Sequence, residues 1–343
     1  MIGLGAAAAL AERGVSVTVI GEHQPGEASP AAAGMLAPSV ERAAGPAHDF
    51  AVAARDRFPD YLALLAERTG IEVPLNRLGI LQVALSEKGI KGLKKTALPT
   101  SRWLDASELR DLEPALAHAV GAMYNPDDGA VDNTKLLSAL QQYAFTSQYI
   151  MTVDDTVIEV EPLRSGATLI TKSGASHTAT HLVIAAGAWV GQIQGARLAH
   201  AVEPARGQLV SYSIAPLRHV AYGPRGYLVP RGASTIGGST MESVGFDTAT
   251  TQDGITKVKS AAEEICPALS SSGSVHAWAG LRPVTPDMLP LIGRDPEHHS
   301  LIYACGHSRN GVLLAPLTGD LIADLVTGTA LSYDLSQFRP DRF

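Results

Sequence analysis

The sequence has few of the residues that build disulfide scaffolds and metal centres. Its two cysteines, Cys266 and Cys305, lie in unrelated contexts without the spacing of a metal site. We therefore predict neither a disulfide framework nor a zinc site, and a reducing compartment fits this composition. Because Cys305 follows an apolar run, we predict that it is a small buried hydrophobic side chain.

Long apolar runs and an excess of positive charge are also lacking. No run approaches the length of a membrane span and no signal peptide is evident, so we expect a cytoplasmic protein without a membrane partner. The formal charge of −7 gives no reason to expect a nucleic-acid partner. With 45% hydrophobic and 18% charged residues, the 343-residue chain is predicted to fold into about two domains.

The N-terminal pattern is typical of the second half of a βαβ dinucleotide-binding unit. Residues 2–13 form an alanine-rich helical pattern, residues 15–20 a β-branched strand, and Glu22 follows the strand. In such a unit the helix start binds a pyrophosphate and the acid binds a ribose. Gly3 would be the third glycine of the motif. We expect the first strand and the first two glycines to lie upstream of Met1. Without that central strand, its two neighbours in the parallel sheet would lack a hydrogen-bonding partner.

Small residues dominate the next stretch, residues 26–38, which shows neither helix nor strand periodicity. Small side chains would let the backbone approach a flat ligand closely, with Gly34 and Met35 against that ligand. A flexible linker is the alternative. The embedded Met-Leu pair and the two prolines favour an ordered, packed loop.

The remaining pattern mixes helices and strands. A continuous apolar strand at 182–186 is typical of a buried parallel sheet, whereas short strands within 201–274 indicate an antiparallel sheet. Helices are predicted over 48–69, 107–116, 132–145, 251–265 and 312–325. Strands are predicted over 75–84, 156–160, 168–171, 208–213, 226–230, 235–239 and 300–305.

Two arginines near the C-terminal end, Arg282 and Arg309, lie among glycines, prolines and apolar residues. A buried guanidinium needs an anionic or carbonyl partner, and the helix start near residue 312 offers free N–H groups to an anion. For one arginine alone, a structural carboxylate partner would suffice. The two together favour a ligand site.

Eight motifs occur in one order along nearly the whole chain. They are I-G-L-G (2–5), S-P-A-A-A-G-M-L-A-P (29–38), E-L-R-D-L-E-P-A-L (108–116), Y-N-P-D-D-G-A-V-D (124–132), V-I-A-A-G-A-W (183–189), G-G-S-T-M-E (237–242), A-G-L-R-P (279–283) and G-H-S-R-N-G-V-L-L-A-P (306–316). In these motifs the chain resembles the FAD-dependent glycine oxidases of thiamin biosynthesis, within the wider family of D-amino acid and sarcosine oxidases.

The resemblance implies an α/β fold with two discontinuous domains. A Rossmann-like domain of two or three layers would bind FAD non-covalently, from residues 1–74, 150–200 and 277–343. A substrate domain with an antiparallel sheet would comprise residues 75–149 and 201–276. A homo-oligomer is also possible by resemblance.

The resemblance also implies residue roles. Arg282 would bind the substrate carboxylate, Tyr227 would add a hydrogen bond, Arg309 would lie beside the substrate amine and the flavin edge, and Met35 would cover the ring. The implied cofactor-binding positions are Gly3, Glu22, Ser29, Ala33, Gly34, Met35, Val157, Gly187, Gly306, His307, Ser308, Arg309, Asn310, Gly311, Val312 and Leu313.

Two positions depart from the family pattern. The family's ribose-binding acid aligns with Gly21, so Glu22 would have to act from one residue further on. Arg225 replaces a family histidine near Tyr227, which leaves the substrate preference open. No residue is assigned as acid or base, His307 included, because hydride transfer from a deprotonated amine needs no dedicated base.

The implied activity is oxidation of glycine and small primary or secondary amines by oxygen, giving the oxo acid, ammonia or an amine, and hydrogen peroxide. One alternative is a D-amino acid dehydrogenase that passes electrons to a quinone. Another is a truncated chain that folds without flavin and has no activity.

Overall fold

The computed structural model describes residues 1–41, 45–271 and 275–343 and confirms the α/β class. The helices of the described residues are α1 (Ile2–Ala11), α2 (Ala28–Ala31), α3 (Pro38–Glu41), α4 (Pro46–Asp56), α5 (Phe58–Thr69), α6 (Glu87–Lys95), α7 (Ala106–Leu112), α8 (Asn133–Thr146), α9 (Gln252–Ile265) and α10 (Gly311–Thr327). None of these helices is long and apolar enough to cross a bilayer.

The strands of the described residues are β1 (Val17–Ile20), β2 (Met35–Leu36), β3 (Leu75–Asn76), β4 (Ile80–Ala84), β5 (Arg102–Asp105), β6 (Gly121–Asn125), β7 (Gly129–Val131), β8 (Ile150–Val153), β9 (Val157–Pro162), β10 (Ala167–Thr171), β11 (Ser176–Ala179), β12 (Leu182–Ile184), β13 (Glu203–Tyr212), β14 (Val220–Tyr222), β15 (Tyr227–Arg231), β16 (Ser234–Gly238), β17 (Val275–Val284), β18 (Leu291–Arg294) and β19 (Leu301–Cys305). Some strands lie between the helices, whereas β8 to β12 and β13 to β16 follow one another without an α-helix between them. Cys305 ends β19 and is buried, as predicted.

The largest sheet has eight strands in the order β17-β13-β16-β15-β14-β4-β6-β5. Its pairings are antiparallel with one exception, because β14 lies parallel to β4. The strands within residues 201–274 pair antiparallel with one another, as predicted, and the parallel pair joins β14 to a strand from outside that range. The two strands belong to different excursions of the chain, so no hairpin forces them into opposite directions. Arg282 lies on β17, the edge strand that pairs along its whole length with β13.

The other two parallel strand pairs of the described residues lie in two small sheets. β1 pairs with β8, and β12 pairs with β19, both in parallel, while β18 adds to β19 antiparallel. Within the described residues, β1 and β12 each have one strand neighbour. The order of helix, strand and acid predicted at the N-terminus is present as α1, β1 and Glu22. Among the described residues, however, the parallel strands do not form one continuous sheet.

Small residues allow α1 to pack directly on α10. A Cβ added at Gly319 of α10 would lie 2.8 Å from the carbonyl oxygen of Gly5 in α1, so the two backbones approach closely. These helices, together with α4, α5 and α8, enclose one hydrophobic core. A second core lies between the eight-stranded sheet and the helices α7 and α9.

Three local predictions need correction. The helix predicted over residues 48–69 is two helices, α4 and α5, which meet at Arg57. Pro59 explains the break, because it has no N–H to continue the hydrogen-bond ladder. The helix predicted over 107–116 begins earlier, with Asp105 as its cap in a capping box. The 26–38 stretch contains α2 and β2, so it is ordered but is not free of secondary structure.

Candidate active site

A cavity of about 1790 Å³ is lined by residues from both the N-terminal and the C-terminal segments of the chain. Its walls come from α1, β1, α2, β9, β12, the ends of β15 and β17, and the turn before α10. A drug-sized ligand fills a pocket of roughly 300–1,000 Å³, so this cavity has room for a dinucleotide together with a small substrate.

The nucleotide end of the cavity is formed by α1 and β1. No side chain caps the first N–H groups of α1 in the part of the chain that the structure describes, so they are available to a phosphate oxygen. A Cβ at Gly3 would lie 3.4 Å from the Cβ of Ala185, which keeps the helix start close to β12. Glu22, just past β1, is exposed and accepts a hydrogen bond of 2.6 Å from the Thr156 hydroxyl.

Several of the predicted cofactor positions line the same cavity as Glu22. From the N-terminal half and the middle of the chain these are Gly3, Ser29, Ala33, Gly34, Met35, Val157 and Gly187. Gly34 has a reason of its own to be glycine. Its φ is +77°, and a Cβ there would lie 2.0 Å from the Val131 carbonyl oxygen. Packing against β7 therefore requires this glycine, whether or not a ligand approaches it.

The turn between β19 and α10 lines the cavity from Gly306 to Val312. Gly306 has a φ of +69°, and a Cβ there would lie 2.7 Å from a Thr285 methyl carbon. Leu313 does not line the cavity but is buried in the core around α10. The start of α10 and its N–H groups therefore border the cavity at Gly311 and Val312.

His307 is buried, and its Nε2 lies 3.2 Å from the Thr318 hydroxyl. Burial lowers the pKa of His307 to about 3, so the imidazole is neutral at neutral pH. The contact with Thr318 of α10 fixes the His307 ring, which helps to position the turn between β19 and α10. This geometry agrees with assigning His307 no role as a base.

Arg282 projects into the cavity and contacts only neutral groups. Its Nη2 donates to the Ser239 hydroxyl at 2.7 Å, and its Nη1 donates to the Thr240 carbonyl at 3.1 Å. Among the described residues it has no carboxylate within 4.0 Å. The alternative of a structural carboxylate partner for Arg282 is therefore wrong, and its charge is available to an anionic ligand.

Tyr227 lies beside Arg282 on the wall formed by β15. Burial raises the pKa of the Tyr227 phenol, while Arg282 and Ser239 act in the opposite direction. Its ring stacks on that of Tyr222, with 6.1 Å between ring centroids. The phenol is thus a protonated hydrogen-bonding group next to the guanidinium at neutral pH.

Arg309 differs from Arg282 because it has a carboxylate partner. Its Nε lies 2.5 Å from Oε2 of Glu41, a side chain only 9% exposed, while the Arg309 side chain is 49% exposed. The Tyr222 hydroxyl donates to the other Glu41 oxygen at 3.3 Å. Glu41 was not among the predicted site residues, because an acid shortly after a small-residue loop carries no recognisable motif.

Arg225, the other departure from the family pattern, is paired elsewhere. Its guanidinium lies 2.7 Å from a carboxylate oxygen of Glu264 on α9, and its side chain is 56% exposed. It lines the cavity, but its charge is already compensated by this acid.

The sequence profile of the family described as FAD dependent oxidoreductase (DAO) matches residues 1–325. The chain belongs to this family. It is 36% identical over 344 residues to the bifunctional protein ThiO/ThiG of a Synechocystis species, covering 97% of this chain but 51% of that protein. It is 34% identical to the glycine oxidase of Geobacillus kaustophilus, over 91% of this chain and 86% of the relative. The chain thus spans about half the length of the bifunctional relative.

Solved structures agree with this assignment. The crystal structure of the Geobacillus glycine oxidase superposes with a TM-score of 0.91 at 33% identity, covering 100% of this chain and 96% of that one. The iminodiacetate oxidase from a Chelativorans species also gives a TM-score of 0.91, at 25% identity, over 99% and 96%. This DAO-family member is an FAD-dependent oxidoreductase. The uncapped start of α1, Gly3, Glu22 and the cavity volume fit FAD.

Proposed function

We propose that this protein oxidises glycine and other small primary or secondary amino acids to the oxo acid, releasing ammonia or an amine and hydrogen peroxide. The observation that carries the proposal is the guanidinium of Arg282, which has no carboxylate partner among the described residues and faces the cavity beside a protonated tyrosine. A glycine oxidase and a ThiO/ThiG protein among the relatives support the same substrate class.

Arg282 supplies the carboxylate clamp. A planar guanidinium pairs with a carboxylate through two parallel N–H donors, which fixes the orientation as well as the position of the substrate. The Tyr227 hydroxyl adds a third donor from β15, which β13 and β16 separate from β17 in the sheet. Because the carboxylate is held at one end, the α-carbon of a small amino acid is directed into the wider part of the cavity.

The remaining walls limit the size of the substrate. Met35 lies on the cavity wall at the end of the small-residue stretch, and its partly buried side chain provides an apolar ceiling. FAD, when bound, supplies the hydride acceptor for oxidation of the C–N bond. The N–H groups at the start of α10 stabilise negative charge at that end of the cavity, where the charge of Arg309 is already compensated by Glu41.

No side chain has to remove a proton from carbon. The amine reaches the site as the free base from solvent, and His307 is too deeply buried and too weakly basic to accept its proton. The protein therefore contributes binding, orientation and electrostatic stabilisation. We further propose that the product serves thiazole synthesis for thiamin, as the names of the bifunctional relatives suggest. A cytoplasmic location and a homo-oligomeric state stay predictions.

Anaerobic reduction tests the proposal. Adding glycine to the purified flavoprotein without oxygen should bleach the visible flavin absorbance, and readmitting oxygen should restore it with one hydrogen peroxide per turnover. Arg282→Met is the matched variant, because methionine keeps an apolar stem and removes the charge. It should retain flavin but lose reduction by glycine.

Each alternative gives a different result. A flavoprotein that is bleached by amino acids but yields little peroxide would be a dehydrogenase with another electron acceptor. A folded protein without flavin would contradict the proposal. So would equal reduction of the wild type and Arg282→Met by glycine.

A further inference from the structure

Arg282 and Arg309, two of the arginines that line the cavity, differ in the net charge that each presents to a ligand together with its partners. Arg282 is surrounded by a hydroxyl, a carbonyl and a thioether, all neutral. Arg309 is paired with Glu41 at 2.5 Å. Summed over these three side chains, the substrate end of the cavity therefore presents one uncompensated positive charge.

Glu41 is held in place from two sides. The Arg309 guanidinium lies against one carboxylate oxygen, and the Tyr222 hydroxyl donates to the other at 3.3 Å. Tyr222 in turn stacks on Tyr227, the neighbour of Arg282. Negative charge on Glu41 also helps to raise the pKa of Tyr222 to about 12, after burial, which is the larger cause. A nearly buried carboxylate with these partners is a fixed charge of the cavity wall.

A fixed carboxylate beside a cationic clamp discriminates between ligands by charge. A ligand with one carboxylate satisfies Arg282 and leaves the Arg309–Glu41 pair intact. Glu41 accepts a hydrogen bond from Tyr222, whose ring stacks on that of Tyr227 beside Arg282, so a second carboxylate that extends from the clamp along these rings would approach Glu41. Arg309 could bind this carboxylate only by giving up its existing partner. Repulsion from a buried like charge is a common way to exclude a wrong ligand.

We propose that Glu41 makes this cavity selective for monocarboxylates by neutralising Arg309 and repelling a second carboxylate. This inference rests on the proposed function, since it assumes that Arg282 binds the carboxylate of a small amino acid. It adds a specificity role for a residue whose contacts are with Arg309 and Tyr222 and not with Arg282.

Two pairs of small molecules isolate the charge. Sarcosine and iminodiacetate are both N-substituted glycines, and they differ in whether the N-substituent ends in a carboxylate. Acetate and malonate form a non-reacting pair of the same kind. The kcat/KM ratio for the first pair and the calorimetric Kd ratio for the second measure the preference for a monocarboxylate, by turnover and by binding alone.

Glu41→Gln keeps the shape of the side chain and removes its charge. We expect this variant to shift both ratios at least ~10-fold toward the dicarboxylate, because Arg309 is then free to bind the second carboxylate. In the double variant Glu41→Gln/Arg309→Gln the gain should disappear. The single variant Arg309→Gln should shift both ratios toward the monocarboxylate, because it leaves the Glu41 charge unpaired. This variant also provides a second test if Glu41→Gln folds poorly.

The outcomes separate this inference from the proposed function. If the wild type binds acetate and oxidises glycine but neither Glu41→Gln nor Arg309→Gln changes the ratios, the selectivity role is wrong and the proposed function stands. If the wild type binds neither acetate nor glycine, the Arg282 clamp fails and both proposals fall. An equal shift in the single and double Glu41 variants would also overturn the role of Arg309.

Discussion

Gly207 lies on β13, next to β17, and the guanidinium of Arg282 packs directly over it. An alanine at residue 207 should disable the carboxylate clamp without unfolding the protein. A Cβ at this position would lie 2.1 Å from Nη1 of Arg282 and 2.4 Å from both Cζ and Nη2. Ordinary carbon contacts are roughly 3.5–4.0 Å, so the guanidinium would have to retreat by about 1.5 Å. The atoms in the way are the end of a flexible side chain, which can move at little cost to the fold.

The loss can be sized from the contacts that the clamp would make. A hydrogen bond to a charged group contributes about 1.5–3 kcal/mol, and about 1.4 kcal/mol corresponds to a factor of ten. Displacing the guanidinium so that one or two such bonds are lost should lower kcat/KM for glycine roughly 10- to 100-fold or more. Steady-state peroxide production measures this, and thermal unfolding checks that Tm changes little.

Gly92→Ala is the matched control for Gly207→Ala. Gly92 lies in α6, and a Cβ there would meet nothing within 4 Å. Alanine is favoured over glycine in a helix by about 1 kcal/mol, so this variant should be as active as the wild type and slightly more stable. A Gly207→Ala enzyme with kcat/KM within two-fold of the wild type would refute the assignment of Arg282 as the clamp.

Three further predictions concern stability. Arg55→Met should cost about 3–5 kcal/mol in urea unfolding, because it leaves the fully buried Asp128 without its cation. Asp295→Asn should cost about 1–3 kcal/mol at pH 7 and much less near pH 3. Burial alone would raise the pKa of Asp295, but Arg197 and nearby N–H groups outweigh burial and lower this pKa. The Asp295 carboxylate therefore stabilises the fold fully above the pKa that it has in the unfolded chain. This stabilisation is lost as the pH falls through the lower pKa of the folded protein. Gly319→Ala should lower stability by about 1–3 kcal/mol, because its Cβ would meet the backbone of α1.

Controls follow from the same contacts. The double variant Arg55→Met/Asp128→Asn should recover part of the loss, because the buried charge is removed together with its partner. An Asp295→Asn penalty that is equal at both pH values would contradict the sign worked out for this carboxylate. For Gly319, unchanged unfolding of the alanine variant would mean that α1 and α10 are not in close contact.

Local patterns predicted much of the fold. The alanine-rich helix, the β-branched strand and the acid after it appear as α1, β1 and Glu22, and the apolar C-terminal helix appears as α10. These elements depend on the spacing of apolar residues and on caps, which are properties of neighbouring residues. Where a local signal was overlooked, as at Pro59, the prediction of one long helix was wrong although the sequence contained the reason.

Other features depend on segments far apart in the chain. The parallel pairing of β14 with β4, the close approach of Gly207 to Arg282 and the requirement for glycine at residue 34 arise only when those segments meet. Nothing in the spacing of residues along the chain specifies which backbone oxygen will face a glycine.

The sequence by itself determined which residue types were available for the site: two arginines, a tyrosine and a turn of small residues before an apolar helix. Tertiary structure decided which of the arginines is free to bind a ligand. Glu41 is remote from Arg309 in sequence yet lies 2.5 Å from it, whereas Arg282 meets only neutral partners. The charge of a cavity is a sum over side chains brought together by folding, and it is set when distant segments pack against each other.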